Sequence, residues 1–203
     1  MTAAQLPRPR VQKLSELDEA QRAGRFDELQ RLMPRVWEAM RHDVPNESVV
    51  VVPSMNLIQA DGSSGTLAHA MEERSLFLLL LLRQPRLRMV YVTSAPIAES
   101  VVSYYLGLLS GVIPEHARSR LQLVSVGDSS SRPLSVKLLQ RPNVLRRIRQ
   151  LIPDRSLCHL ITYTTTETER DVAIALGIPL YGPDPKYAAL GSKSGCRRLF
   201  EEL

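Results

Sequence analysis

Five short apolar segments, separated by stretches with helical spacing, constrain the fold of this chain more than any other feature. The first holds four consecutive valines at 49–52, which is typical of a strand buried on both faces of a sheet. The others are RMVYVTS at 88–94, LQLVSV at 121–126, CHLITY at 158–163 and IPLYG at 178–182. Because strands that alternate with helices are joined by parallel crossovers, the sequence predicts an α/β fold with a doubly wound, mostly parallel sheet of about five strands.

The stretches between these segments predict the helices. Apolar residues recur at helical spacing over about 66–83, 96–110, 134–152 and 167–176, with Pro142 interrupting the third. The α/β domain that carries these elements is predicted to span residues 47–203.

Residues 1–46 lack this alternation and predict a helical extension. Two amphipathic helices are expected there, broken near Gly24, with the second kinked at Pro34 because proline has no N–H to donate. Trp37 is expected to anchor the extension against the domain rather than to bind a ligand.

Composition excludes several classes of protein. Hydrophobic residues make up 44% and charged residues 23% of the 203 residues, as in globular chains. The longest apolar run, at 76–82, is far shorter than the roughly 20 residues that span a bilayer, and the N-terminus has no apolar signal segment. We therefore expect a cytoplasmic protein with no membrane partner. Two cysteines and four scattered histidines lack the spacing of a metal site.

The formal charge of +5 comes from 22 arginines and four lysines. The densest basic stretch, 141–155, also carries apolar residues at helical spacing and no aromatic residue that could stack on a base. This pattern favours a solvated helix face, so nucleic acid is not an expected partner.

The segments that follow the predicted strands are crowded with hydroxyl groups, small residues and carboxylates. In open parallel sheets, ligands bind outside the carboxyl ends of the strands, which makes this edge the expected binding side. Several of these residues also have a structural interpretation: Ser94 or Ala95 near a helix cap, Asp128 in a turn, and Thr166 with Glu169 in a capping box.

No local catalytic motif is complete. DGSSGT at 61–66 lacks the glycine spacing and the lysine of a P-loop, and GSKSG at 191–195 has Lys193 where a nucleophile elbow needs serine. The sequence therefore does not predict a self-contained hydrolase or NTPase.

Two long stretches resemble a known family. Residues 71–154, beginning MEERSLFLLLLLRQPRLRMVYVTSAPIAESVV, and residues 166–203, TETERDVAIALGIPLYGPDPKYAALGSKSGCRRLFEEL, are similar to the N-terminal pre-ATP-grasp domain of peptide-ligase-like ATP-grasp carboxylate–amine ligases. The resemblance covers roughly 47–203 and implies a Rossmann-like fold. It also implies an enzyme that uses ATP and Mg²⁺ to activate a carboxylate as an acyl phosphate, which an amine then attacks.

The resemblance also implies site residues. In similar enzymes a lysine in a Gly-x-Lys segment approaches the ATP phosphates, so Lys193 with its neighbours Ser192 and Ser194 is the candidate ATP-binding element. Lys193 has the alternative interpretation of an ordinary exposed residue in a first helical turn. The candidate substrate-binding residues are Ser54, Asn56, Ser94, Asp128 and Thr165. No catalytic or metal-ligating residue is expected in this chain.

Two functions remain open at this point. The first is the N-terminal domain of an ATP-dependent carboxylate–amine ligase, inactive alone, because the sequence ends where the family continues into its ATP-grasp domain. Its expected partners are that C-terminal ATP-grasp domain, in the same or a separate chain, and a small-molecule acid and amine. The alternative is a stand-alone, non-catalytic Rossmann-like binding or protein-interaction module.

Overall fold

A computed structural model of the protein describes residues 14–55 and 65–202, with the backbone alone for residues 65–67. Its centre is an all-parallel sheet of four strands, in the order β3-β2-β1-β4. The strands are β1 (Ser48–Val52), β2 (Arg88–Thr93), β3 (Leu121–Ser125) and β4 (Cys158–Thr162). The predicted α/β class and doubly wound architecture are confirmed, with four strands rather than five.

Helices cover both faces of the sheet. They are α1 (Glu19–Gln30), α2 (Met33–His42), α3 (Gly65–Arg74), α4 (Glu99–Gly107), α5 (Pro114–Ser119), α6 (Leu134–Leu139), α7 (Pro142–Leu151), α8 (Glu167–Leu176) and α9 (Lys193–Glu202). A 3-10 segment, Ser75–Arg83, continues α3, and three shorter ones lie at Leu14–Glu16, Arg155–Leu157 and Pro185–Tyr187. None of the described helices is long and apolar enough to cross a bilayer.

The core is divided into two layers by the sheet. Val50 and Val52 of β1 face a layer that includes buried residues of α1, α6, α7 and α8. Val49 and Val51 face the other layer, with buried residues of the 3-10 segment, α4 and α5. All four valines are completely buried, and full burial stabilises a valine by about 2 kcal/mol, so the run of valines reflects a strand covered on both sides.

The winding direction reverses beside β1. The chain proceeds from β1 outward to β2 and β3, with its connecting helices in one layer, and then returns through α6 and α7 in the other layer to form β4 on the far side of β1. In such a sheet the crevice between the carboxyl ends of the two strands at the reversal is the usual ligand position. Here those strands are β1 and β4.

The predicted fifth strand at 178–182 is wrong, because only Leu180 forms a parallel bridge, with Leu160 of β4. Pro179 has no N–H to extend a ladder. On the outer side, the Gln30 side chain bonds both backbone groups of Leu180, accepting from its N–H at 2.8 Å and donating to its carbonyl at 3.0 Å. A side chain of the helical extension thus takes the place of a neighbouring strand.

The predicted helical extension is present, but its break lies elsewhere. Helix α1 runs through Gly24 because Asp18 caps its start in a capping box and Phe26 is buried in the core. The break falls at residues 31–32, and Pro34 occupies the first turn of α2, where a missing N–H costs no hydrogen bond, so the predicted kink is also wrong. Trp37 remains 45% exposed and contacts the ring of Tyr181 at a centroid distance of 5.7 Å.

Candidate functional site

Glu72, Ser94 and Lys137 form a buried hydrogen-bonded group at the carboxyl end of β2, here called the carboxyl-edge cluster. The Ser94 backbone N–H donates to Glu72 Oε2 at 2.6 Å and its hydroxyl donates to Oε1 at 2.5 Å. Lys137 Nζ donates to Ser94 Oγ at 2.8 Å. Each of the three residues is at most 3% exposed. A serine hydroxyl therefore bridges a buried ammonium and a buried carboxylate.

The fold brings these residues together from different elements. Ser94 directly follows β2, Glu72 lies on α3, and Lys137 lies on α6, whose neighbours Leu134 and Leu138 belong to the opposite core layer. Tyr91 of β2 also contacts the cluster, since its hydroxyl donates to the Glu72 backbone carbonyl at 2.7 Å. The cluster thus crosses the edge of the sheet from one helical layer to the other.

Burial dominates the electrostatics of this cluster. It lowers the pKa of Lys137, while the negative charges of Glu72 and Asp128 act in the opposite direction. Burial also raises the pKa of Tyr91, with a contribution from the charge of Glu72. Buried ionisable groups of this kind are enriched at functional sites, although structural ion pairs also produce them. His69, about a quarter exposed, extends the group outward, with its Nδ1 3.5 Å from Glu72 Oε2.

Further hydrogen bonds connect this region to the ends of β1 and β4. The Ser135 backbone N–H, two residues before Lys137, donates to Ser54 Oγ at 3.2 Å. Thr164, just after β4, donates its hydroxyl to the Ser54 carbonyl at 3.2 Å. Ser54 itself is fully buried. The ends of β1 and β4, which flank the crevice, are therefore fixed to each other and to α6.

Asp128 lies at the outer rim of the same edge. Its backbone N–H donates to the Ser94 carbonyl at 3.0 Å, and its carboxylate accepts from the Ser130 N–H at 3.0 Å and from Arg132 Nη2 at 2.7 Å. Hydrogen bonds from Ser130, followed by those from Arg132, lower the pKa of Asp128 to about 2. Arg141 approaches the same carboxylate at 3.7 Å, so two arginines meet at one aspartate. The turn interpretation of Asp128 is confirmed.

Only some of the candidate substrate-binding residues lie close together in the structure. Ser54, Ser94 and Asp128 belong to the hydrogen-bonded region described above. Thr165 instead packs against Gly182, so closely that a Cβ added to this glycine would lie 2.7 Å from Thr165 Oγ1. Asn56 falls outside the described residues, as does most of the DGSSGT segment at 61–66. Ser94 is not a helix cap, because α4 begins only at Glu99.

The candidate ATP element lies apart from this region, at the start of α9. Ser192 caps the helix, since its hydroxyl accepts from the Gly195 N–H at 2.9 Å and donates to the Ala189 carbonyl at 2.8 Å. Ser194 Oγ lies 3.3 Å from Ser192 Oγ. Lys193 is exposed and forms no ion pair with any described residue. No hydrogen bond among the described residues links this element to the carboxyl-edge cluster.

Glu72, Lys137 and Thr164 are site residues that the sequence analysis missed. One sequence pattern could have indicated Lys137. It is a lysine within the apolar helical stretch LSVKLL, in a chain whose other cations are mostly arginine. Its burial against Ser94 depends on how α6 packs on the sheet and could not be read from that signal.

The carboxyl-edge cluster is suited to fixing the strand ends around it rather than to covalent catalysis. Ser94, the hydroxyl nearest to a lysine, is 1% exposed and cannot meet a substrate as a nucleophile in this arrangement. Within residues 14–55 and 65–202, no group of three or more His, Cys, Asp and Glu residues is placed to hold a metal ion.

Comparison with curated proteins shows a distant similarity. The chain is 26% identical over 210 aligned residues to "IQ motif-containing protein H" of Danio rerio, an alignment that includes 93% of this chain and 20% of that protein. The chain thus spans about a fifth of the length of the relative that it matches. No family model matches the chain, and no solved structure matches it significantly.

Proposed function

We propose that this chain is the N-terminal domain of an ATP-dependent carboxylate–amine ligase, where it contributes to binding the substrate and the edge of ATP. The observation that carries the proposal is the hydrogen-bonded region that joins the ends of β1, β2 and β4 around a buried lysine. A Rossmann-like sheet with a polar, fixed carboxyl edge has the construction of a ligand-binding edge. The family resemblance of residues 47–203 supplies the reaction class.

The acid substrate is the ligand that suits this edge. Arg132 and Arg141, both partly exposed, bring two positive charges to the rim of this region, against the single negative charge of Asp128. The excess positive charge favours a carboxylate over an amine. Arg132 already donates to Ser130, Gln140 and Asp128, whereas the Arg141 guanidinium has no hydrogen bond to a described residue and can form the paired hydrogen bonds that carboxylates accept.

The start of α9 suits the phosphates of ATP. Lys193 offers an exposed ammonium group, and the backbone N–H groups of Lys193 and Ser194 have no acceptor among the described residues. Ser192 already uses its hydroxyl to cap the helix, so its contribution would be to hold the turn. Mg²⁺ would neutralise charge on the transferred phosphoryl group, and its ligands are expected from the ATP-grasp domain.

An exposed apolar surface on α9 suits contact with such a domain, in the same or a separate chain. Phe200 is 78% exposed and Leu199 41% exposed, and Gly195 is the only described residue of α9 that is buried. Apolar side chains presented in this way are common where another protein surface packs. Alignment with a fifth of a longer protein is also what one domain of a multidomain protein would show. We expect the protein to act in the cytoplasm.

Replacing Lys193 with alanine is expected to weaken ATP binding about tenfold, because an ammonium–phosphate contact is a charge-assisted hydrogen bond. Binding by the unmodified chain is expected to be weak, in the millimolar range, and without ATP hydrolysis. Isothermal titration calorimetry with ATP measures the change, and Lys186→Ala removes another exposed lysine as the matched control. Equal ATP affinity in the two variants, or ATP hydrolysis by this chain alone, would contradict the proposal.

A stand-alone interaction module is the second candidate, and the contact between Trp37 and Tyr181 favours it. Both rings are nearly half exposed and lie 5.7 Å apart, and tryptophan and tyrosine are enriched in protein interfaces. This candidate predicts no ATP binding at all and a protein partner whose affinity falls in Trp37→Ala. The calorimetry with ATP therefore distinguishes the two functions.

A further inference from the structure

A cavity of about 370 Å³ lies at the amino edge of the sheet, opposite the carboxyl-edge cluster. The amino ends of β2 and β3 form one wall, and the C-terminal end of α7 forms the other. Its volume falls within the range of about 300–1,000 Å³ that small-molecule sites occupy. Nothing in the proposed ligase function uses this part of the fold.

Arg120 gives the cavity a fixed positive charge. Its guanidinium donates to the carbonyls of Leu82 at 2.7 Å, Gln84 at 2.6 Å and Leu87 at 2.8 Å, and its Nε donates to the His116 carbonyl at 3.3 Å. These partners hold the side chain in place without neutralising it. No carboxylate of the described residues lies within ion-pair distance, and burial lowers the pKa of this arginine.

Arg88 adds a second cation that is free to bind. Its backbone N–H donates to the Glu47 carbonyl at 3.1 Å, which fixes the residue at the start of β2. Its side chain is exposed and forms no hydrogen bond or ion pair with the described residues. Neighbouring arginines differ, because Arg86 pairs with Asp43 and Arg118 pairs with Glu99. Two arginines without a carboxylate partner among the described residues therefore line one cavity, and Arg120 keeps one Nη2 N–H that none of these carbonyls accepts.

The remaining walls combine apolar and amide groups. Val90 and Leu151 supply apolar surface, while Gln122 and Gln150 offer side-chain amides at the rim. A ligand that satisfies all these groups has an anionic head for the arginines and an apolar body for the rest. We propose that this cavity binds a small organic anion, with one carboxylate or phosphate group on an apolar body about the size of a single ring.

The test uses phenyl phosphate and benzoate as probes, with inorganic phosphate as the probe that lacks an apolar body. Both organic anions are expected to bind the protein and to perturb the amide signals of Gln122 and Gln150 in NMR spectra. Arg88→Ala should weaken binding of the better probe about tenfold, because it removes a charge-assisted contact. Arg83→Ala is the matched control, since Arg83 is exposed and does not line the cavity. The preferred probe shows whether the head group is a phosphate or a carboxylate.

Gln150→Trp provides a second variant that fills the cavity from an exposed helical position. It should abolish binding of the organic probes while leaving the unfolding transition unchanged. Equal affinity in the Arg88 and Arg83 variants would overturn the proposal. Inorganic phosphate that binds as tightly as phenyl phosphate would also overturn it, because the apolar walls would then contribute nothing. Neither result bears on ATP binding at Lys193, so the two proposals fail separately.

Discussion

Replacing Glu47 with glutamine is expected to raise the free energy of unfolding by an amount that grows with pH. Above neutral pH this gain should be about 3 kcal/mol larger than at acidic pH. Glu47 is fully buried, and neither of its carboxyl oxygens has a hydrogen-bond partner among the described residues. Burial, assisted by the negative charge of Asp43, raises its pKa from 4.5 to about 7. The free energy of unfolding of the native protein therefore depends on whether this group is protonated.

The direction follows from proton binding. Between about pH 4.5 and pH 7 the folded protein keeps a proton on Glu47 that the unfolded chain releases, so stability falls as the pH rises through this window. Glutamine carries no charge at any pH, so the Glu47→Gln variant should not lose stability through this residue as the pH rises. Urea unfolding at several pH values measures the difference, and Glu115→Gln, at an exposed position, is the matched control. Parallel pH profiles for Glu47→Gln and the native protein would show that Glu47 is not a buried neutral carboxyl group.

His159 changes the stability with pH in the opposite direction to Glu47. Burial lowers its pKa from 6.5 to about 4, so the unfolded chain binds a proton in this range that the folded protein does not, and stability falls as the pH drops through the window. The two effects oppose each other between about pH 4.5 and pH 6.5. The Glu47→Gln variant should therefore lose stability steadily on acidification over this range, where the native protein shows a flatter profile.

Replacing Lys137 with methionine is expected to destabilise the protein by about 3 kcal/mol, because removing one of two opposite charges that a buried serine bridges leaves the other uncompensated, much as in a broken buried ion pair. The methionine side chain fills similar space, but it leaves the Glu72 carboxylate buried without its counter-charge and Ser94 Oγ without the lysine donor. The free energy of unfolding from urea titration measures the loss. Lys186→Met, at an exposed position, controls for loss of a lysine.

A double-mutant cycle identifies the cause. Glu72→Gln removes the carboxylate charge, so the Lys137→Met/Glu72→Gln variant should regain most of the stability that Lys137→Met loses. Additive effects of the two substitutions would mean that Lys137 and Glu72 are not coupled through Ser94. If Lys137→Met fails to fold, a cooperative unfolding transition in the Lys137→Met/Glu72→Gln variant is the expected sign of coupling, and a double variant that also fails to fold would contradict it.

Local signals explain why much of the fold could be predicted. The valines at 49–52 and the capping box of Thr166 with Glu169 act within a few residues, and β1 and α8 lie where the sequence placed them. Gly24 shows the limit, because the helix-breaking tendency of one glycine is outweighed when Phe26 packs in the core. At 178–182, the Gln30 side chain replaces a strand partner, and no local pattern indicates such a contact.

The site residues also divide into those that local sequence patterns predict and those that they do not. Ser54, Ser94 and Asp128 follow strands, and parallel topology alone brings the ends of neighbouring strands to one edge. Glu72 and Lys137 lie on helices in opposite layers, and their meeting at Ser94 depends on how each helix packs against the sheet. Side-chain contacts that cross layers have no periodic signature in the sequence.

Amide chemical-shift mapping by NMR, during titration with magnesium and ATP at millimolar concentration, tests most directly whether the carboxyl edge of this chain binds the ligands of a ligase. We expect perturbed signals at 191–195 and in the segments that follow β1, β2 and β4, with Lys193→Ala removing those at 191–195. Unchanged signals at all of these positions, with or without perturbation at the amino edge, would contradict the proposed function.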